Sequence, residues 1–499
     1  MKRNSFAAAF ALLLAIAAGC EAPGEALQDA IGGGGSPGPA NRAPNGSSSP
    51  SGSAGSDWKG LDLAEAEGIA LKVMYASEPA FYEDLGNLFL SKYPNVEFQV
   101  IALSETRGEG DEIEEFRRVV RERQPDVLLM NETVYGALAA EGALYDLEVP
   151  IRASAFDADG LFRGVTDLLR ARGSGRLYGL ADSFRSKALY FNRTLFDAHG
   201  VPYPTEGMSW EDLLSLAKRF PEVDEAGEPL HGLSLGTAAR AAFELPYAIG
   251  QARGLTMFAP DGSAALLDAP AWIETYREAV EAYRDGTAAV PVSPFAANGD
   301  GTFSVSVGNR NAFVAGRAAM ALDDLGMMHT LDAMERIRRE QGKTFEWDVT
   351  TYPAQPERPG TATEFELTSI FGIRADSPNA AAAWEFLRHV HGEETMRLRA
   401  RSSLDLLSRP SLSVGRGGRD LAPFYRLTPD PAAAPPLVPK GFTKKFETVA
   451  EAETAAAIAG TVSPEEALKR IQKAADSLLQ ELGGGGEFEP FAIGRDTYL

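Results

Sequence analysis

The sequence predicts an α/β fold divided into two lobes or domains, on three observations. Strand-like and helix-like apolar patterns alternate from Ile69 onward. A body of roughly 440 residues follows a polar N-terminal stretch, more than one domain usually holds. The composition, 44% apolar and 24% charged, is ordinary for a globular protein. Ile69 to Tyr75 (IALKVMY) reads as the first strand, after which Pro79 opens a helix that sets Phe81, Leu85, Leu88 and Phe89 on one face. Val96 to Leu103 (VEFQVIAL) is a second strand, followed by a helix carrying Ile113, Phe116, Val119 and Val120. Pro125 to Met130 (PDVLLM) is apolar enough throughout to be a strand buried on both faces. This βαβαβ run implies a parallel sheet covered by helices, and ligands of such sheets bind outside the carboxyl ends of the strands. The side chains just after each strand are therefore the binding candidates: Tyr75, Ser77 and Glu78, then Asn131, Glu132 and Tyr135.

Later helices announce themselves by their caps. Ser209 opens WEDLLSLAKRF with Asp212 at the third position, and Ser463-Pro464 opens EEALKRIQKAADSLLQEL with Glu466 completing a capping box. Ser377-Pro378 starts NAAAAWEFLRHV in the same way, and Gly483 to Gly486 break the chain before a short tail. No internal repeat is present.

The first 20 residues read as a secretory signal peptide: Lys2 and Arg3, an apolar run from Phe6 to Ile16, then Ala17, Ala18 and Gly19 before Cys20. That run is shorter than the roughly 20 residues a spanning helix needs. The segment resembles a bacterial lipobox, with Ala17 where Leu is more common, which implies that Cys20 carries lipid and becomes the new N-terminus. Residues 21–57 are dominated by Gly, Ser and Pro and bury too little apolar surface to offset their ordering entropy. As a flexible coil they reach roughly 30–35 Å, enough to tether the body near a membrane.

Charge and cysteine usage narrow the partners. With 70 acidic against 48 basic residues and a formal charge of −22, nucleic acid and anionic lipid are unfavourable partners. A single cysteine allows no internal disulfide and no thiolate cluster. No phosphate loop or other cofactor motif occurs.

Several blocks, taken in order, resemble the extracellular solute-binding proteins of ABC importers, most closely the family that takes up sugars and oligosaccharides. They are LSKYPNVEFQV, PDVLLMNETVYGALAAEGALYDL, LYGLADSFRSKALYFNRTLFDAHGVPYP, SWEDLLSLAKRF, AFVAGRAAMALDDLG and SIFGIRADSPNAAAAWEFLRHV. The resemblance implies a two-lobed fold of the type II periplasmic-binding-protein-like class, with hinge crossovers and a central ligand cleft. Residues 58–181 and 371–410 would form the first lobe, and 182–370 with the helices of 411–499 the second. It further implies a monomer held outside the cytoplasm by its lipid, handing a carbohydrate-like solute to the transmembrane subunits of an ABC permease. By the same likeness, Asp182, Phe184 and Arg185 lie at the hinge mouth, where two hydrogen-bonding groups and a ring could surround one sugar unit. Phe243, Glu244 and Tyr247 would line the second lobe with Asp323 and Asp324, at a place where relatives often carry Trp. Sugars call for such carboxylates, guanidinium groups and flat rings.

Two other motifs compete. GLSLG at Gly232 to Gly236 matches a hydrolase nucleophile elbow, which needs a sharp strand-to-helix turn and a histidine downstream. His389 and His391 suggest a metal, but residues two apart on a helix diverge. A lipid-anchored polysaccharide hydrolase or lyase, and a peptide or polyamine binder on the same fold, remain alternatives.

Overall fold

The computed structural model describes residue 58 and residues 60–493, except 67, 109–110, 238, 240, 260–261, 293–294, 298–302, 306–310, 341, 343, 414, 416–417, 431–434, 484–487 and 492. Cys20, the signal peptide, the linker and most of the Gly483 to Gly486 break lie outside the described residues.

Two mixed five-stranded sheets organise the chain. In the first, Val96–Ala102, Ile69–Tyr75 and Val127–Met130 run parallel, and Ile370–Ile373 pairs antiparallel with Val127–Met130 and with Gly179–Ala181. Its central strand Val127–Met130 is buried throughout, as a continuously apolar segment covered on both faces must be. The helix before it, Glu112–Arg123, packs Phe116 and Val119 inward; Asp111 caps it through the amides of Ile113 and Glu114. The helix expected after Tyr75 forms with an interruption: Glu78–Phe81 and Asn87–Lys92 flank a wide π-turn at Tyr82–Gly86. Gly86 permits that turn, because a Cβ there would lie 2.8 Å from the Phe81 and Tyr82 rings.

The second sheet runs Trp347–Thr351, Ala188–Asn192, Ala318–Asp323, His231–Leu235, Ala288–Ala289. Ala188–Asn192 is antiparallel to both neighbours and the last three strands are parallel. Leu233, Met320, Trp210, Leu213 and Ile249 form its core. The C-terminal helices Phe442–Ile458 and Pro464–Leu482 pack on Pro270–Arg284 through Phe446, Ile471 and Tyr276. Ser209 and Asp212 form the full capping box, and Ser463 caps its helix by accepting from Glu466 N without the return bond, whereas the helix Ala380–Val390 begins after Asn379 and Ser377 donates instead to Asp126.

A third, three-stranded sheet joins the lobes. Ser183–Ser186 lies between Phe365–Leu367 and Leu406–Leu407, antiparallel to each. Phe184 is stacked between Phe162 and Phe365, at 5.2 and 4.8 Å between centroids, with Tyr425 edge-on at 5.4 Å. Such offset stacks add to the burial of the rings themselves. The apolar core therefore runs without a break from the first lobe through the crossover.

Candidate functional site

Strand register fixes where the site lies. Ile370 pairs with both Met130 and Ala181, so these strands end at one edge of the first sheet, beside the carboxyl end of the Ile69–Tyr75 strand. In the second sheet Asp323 pairs with Ala188, which pairs with Thr351, and Leu322 pairs with Leu235. The crossovers through Ser183–Ser186 and Phe365–Leu367 link these two edges. Carboxyl ends of parallel strands from both lobes thus converge on the hinge sheet, where open α/β sheets hold ligands.

The hinge sheet has two chemically opposite faces, because side chains alternate along a strand. Phe184, Leu367 and Leu406 are buried on one. On the other, Glu366 and Asp405 flank Arg185: Glu366 is its register partner, and Arg185 Nε donates to Asp405 Oδ1 at 2.8 Å. The Arg185 side chain is 53% exposed. One step along, Lys187 Nζ lies 3.0 Å from Glu364 Oε2; one step back, the Ser183 and Thr368 hydroxyls are 2.9 Å apart.

Asp182 directly follows the first-sheet strand Gly179–Ala181, so it stands at the first lobe's edge of the hinge rather than opening the second lobe, and its carboxylate accepts from Arg399, the last residue of the helix Glu393–Arg399, and from Ser183 Oγ at 3.2 Å. Asp182 is 1% exposed and the Arg399 side chain 27%. Burial alone would push the Asp182 carboxyl up, but Arg399 and, less, His391 outweigh it and hold it below its ordinary value. Tyr75 Oη donates to Asp84 Oδ2 at 2.9 Å. Burial, then the Asp84 charge, keeps that phenol protonated far above its usual range.

On the second lobe, Asp323 accepts from Thr237 N (2.7 Å), Thr237 Oγ1 (2.9 Å) and Asp324 N (2.9 Å). Burial, then the neighbouring Asp324 charge, pushes its carboxyl up to about 7. Its partner Thr237 lines a cavity of about 30 Å³ together with Ser234, Val290 and Asn311 among others. That space takes a water or two, far below the roughly 300 Å³ of a small-molecule site.

Of the candidates read from sequence, Tyr75, Asp182, Arg185, Asp323 and Asp324 come together around the hinge. Others are committed elsewhere. Ser77 caps its helix by accepting from Ala80 N, and Glu78 is the first residue of that helix. Asn131 caps the helix Glu132–Ala140 and donates to Glu112, while Glu132 binds Arg172 Nε at 2.6 Å. The expectation that Tyr135, Phe184 and Phe243 offer stacking faces does not hold in this structure: all three are at most 2% exposed. Tyr135 Oη donates to Leu169 O, and Phe243 packs against Tyr276 and Phe446. Glu244 accepts from Ala241 N at the start of its own helix, and Tyr247 Oη accepts from Gln251 Nε2 while its ring meets Phe491. Asp324 Oδ1 accepts from Gly326 N. Asp182, Phe184 and Arg185 do not surround one sugar unit, since Phe184 is sealed in the core and the two charges have separate partners.

Sequence reasoning missed Arg399, Asp405, Lys187, Glu364 and Asp84. Four of the five become relevant only through pairs distant in sequence, and Asp84 only through the π-turn. The competing motifs dissolve. Ser234 lies inside the strand His231–Leu235, donating to Leu235 O, and a Cβ on Gly232 would sit 2.1 Å from Ala217 O, so that glycine serves close packing. His391 is buried, with Nδ1 2.8 Å from Leu387 O. Among the described residues no group of three or more His, Cys, Asp or Glu could hold a metal, and no helix is long and apolar enough to cross a membrane.

Comparison with known proteins gives a family match over residues 75–396, described as bacterial extracellular solute-binding protein. Similar solved structures include Mycobacterium tuberculosis UspC, at 20% identity and a TM-score of 0.59, covering 82% of this chain and 100% of that one. The sugar-binding protein MalE of Xanthomonas citri matches at 15% identity and 0.57, covering 83% and 98%. A sugar transporter of Rhizobium etli in an open conformation matches at 19% and 0.55, covering 82% and 100%. At these identities the structural likeness speaks for the fold.

Proposed function

We propose, on the premise that this chain belongs to the bacterial extracellular solute-binding protein family, that it captures a sugar or oligosaccharide between its lobes and hands it to an ABC permease. One observation carries this reading: the carboxyl edges of both sheets converge on a hinge sheet whose outer face is a row of donors and acceptors. Its inner face is a rigid aromatic stack. Sugar hydroxyls need such paired groups, and a sheet only three strands wide offers little resistance to the twist that brings two lobes together. Two of the structurally similar proteins are described as a sugar transporter and a sugar-binding protein, which supports the ligand class.

The chemistry is binding, not turnover. Closure buries the solute, replaces its hydration with fixed dipoles, and presents the permease with a shape absent from the empty protein. Cys20 is the lipid attachment point, and the Gly/Ser/Pro-rich segment behind it gives the body its reach. The body acts as a monomer. A thermal-shift screen over sugars, peptides and polyamines tests the ligand class: a rise with neutral glycans, with chromatography showing them uncleaved, is expected. Cleavage, or a rise with peptides or polyamines alone, overturns the reading. Cys20→Ser should release the protein from the membrane fraction with affinity unchanged; retention there refutes the lipid anchor.

A further inference from the structure

Among the described residues, the cations around the hinge share one trait: each is already matched by a carboxylate. Arg399 is held by Asp182, Arg185 by Asp405 and Lys187 by Glu364. Further carboxylates, Asp84, Glu366 and Asp324, stand at the same edges, so the described residues of the cleft carry more negative charge than positive. An anionic solute would meet repulsion there and gain no uncompensated cation.

Arg399 differs from the other two cations in how it is fixed. Its partner is almost wholly buried, whereas the Arg399 side chain keeps 27% of its surface exposed. Asp182 therefore grips one side of the planar fork and leaves the remaining N–H donors in a set direction. Asp84 and Tyr75 are near enough to act on the Arg399 charge. The π-turn at Tyr82–Gly86 carries Asp84, an exposed residue, to the Tyr75 hydroxyl, which engages Oδ2 and leaves Oδ1 for an incoming hydroxyl.

We infer that Arg399 and Asp84 form a first-lobe subsite for the vicinal hydroxyls of a neutral sugar, that Asp182 is its positioning residue, and that the cleft rejects acidic sugars. One hydroxyl donates to Asp84 Oδ1 while its neighbour's oxygen accepts from the Arg399 fork. This inference rests on the solute-binding reading above and adds the charge class of the solute and the residues that select it.

The test takes the sugar giving the largest thermal shift in a panel of neutral di- to tetrasaccharides, together with a counterpart of the same linkage that contains glucuronic acid. Titration calorimetry should show the acidic sugar binding at least tenfold more weakly. Arg399→Lys keeps the charge that compensates Asp182 but loses the fork, and should weaken the neutral sugar about tenfold or more without moving the unliganded melting temperature. Asp84→Asn, at an exposed position where the amide oxygen can still accept from the Tyr75 hydroxyl, should do likewise. Asp182→Asn should weaken binding in the wild-type background yet add nothing in the Arg399→Lys background, the signature of a residue acting through another. Wild-type affinity in both Arg399→Lys and Asp84→Asn, or equal affinity for the acidic sugar, overturns the inference while leaving the solute-binding reading intact. If no neutral sugar binds the wild-type protein, that reading fails and the inference falls with it.

Discussion

Asp182 and Asp323 are 1% and 2% exposed, face the same hinge from opposite lobes, and titrate in opposite directions. Burial penalises both charges. Asp182 is met by a guanidinium, a full opposite charge that more than restores what desolvation removes. Asp323 is met by two backbone amides and one hydroxyl, with a second carboxylate in the next residue. Neutral dipoles do not offset desolvation and a like charge together. At equal burial, then, the nature of the partner sets the protonation state.

The largest test removes the guanidinium. Arg399→Met leaves Asp182 buried without its counter-charge and should cost about 3–5 kcal/mol in urea denaturation at neutral pH. Asp182→Asn should cost clearly less, because Arg399 can turn its exposed end to water. The gap between the two should close in acid, where Asp182 in the Arg399→Met protein takes up a proton. Equal losses at neutral pH would mean that burial is not what separates the partners.

Next in size is the pH response of Asp323. Its folded value of about 7 exceeds the ordinary carboxylate value, so between about pH 4 and 7 the folded state holds a proton that the unfolded chain has released. Its contribution to stability must therefore fall as pH rises through that window, by on the order of 2–4 kcal/mol. Asp323→Asn should remove the fall, and denaturation curves at pH 4.5 and 7.5 decide it. Asp182 has the reverse sign: its depressed folded value gives stability present at neutral pH and lost in acid.

A smaller effect separates the two causes acting on Asp323. Asp324→Asn deletes the like charge but keeps the burial, so carboxyl NMR titration should find Asp323 lower than in the wild type and still above an exposed aspartate. An unchanged value would assign the whole shift to burial. The smallest effect is expected at the Arg185 rung: Arg185→Ala should change unliganded stability by about 1 kcal/mol, since the Arg185 side chain is 53% exposed and burial already pushes the Asp405 carboxyl towards its neutral form.

Why some residues were legible and others not follows from the same contrast. Val127–Met130 was readable because four consecutive apolar residues are a local property, and the Ser209 and Ser463 caps because a cap acts over three residues. Candidates placed after strands proved less readable, because that position is also where the next helix begins. Ser77 and Asn131 spend their side-chain oxygens on orphan amides there. Aromatics such as Tyr135, Phe184 and Phe243 gain more from burial than a neighbouring strand end reveals.

The sequence by itself determined the alternating α/β architecture and the ordered blocks that mark the family, whereas the crossover near Asp182 followed only from the likeness to that family. The first two rest on apolar periodicity, caps and short motifs, which act within about a dozen residues. Only the tertiary structure decided which charges meet. Asp182 finds Arg399 across 217 residues and Arg185 finds Asp405 across 220. Nothing in either neighbourhood encodes the other, because such pairs are set by how two lobes fold onto three shared hinge strands. For the same reason the π-turn aims Asp84 at the Tyr75 hydroxyl within a segment whose sequence reads as one unbroken helix.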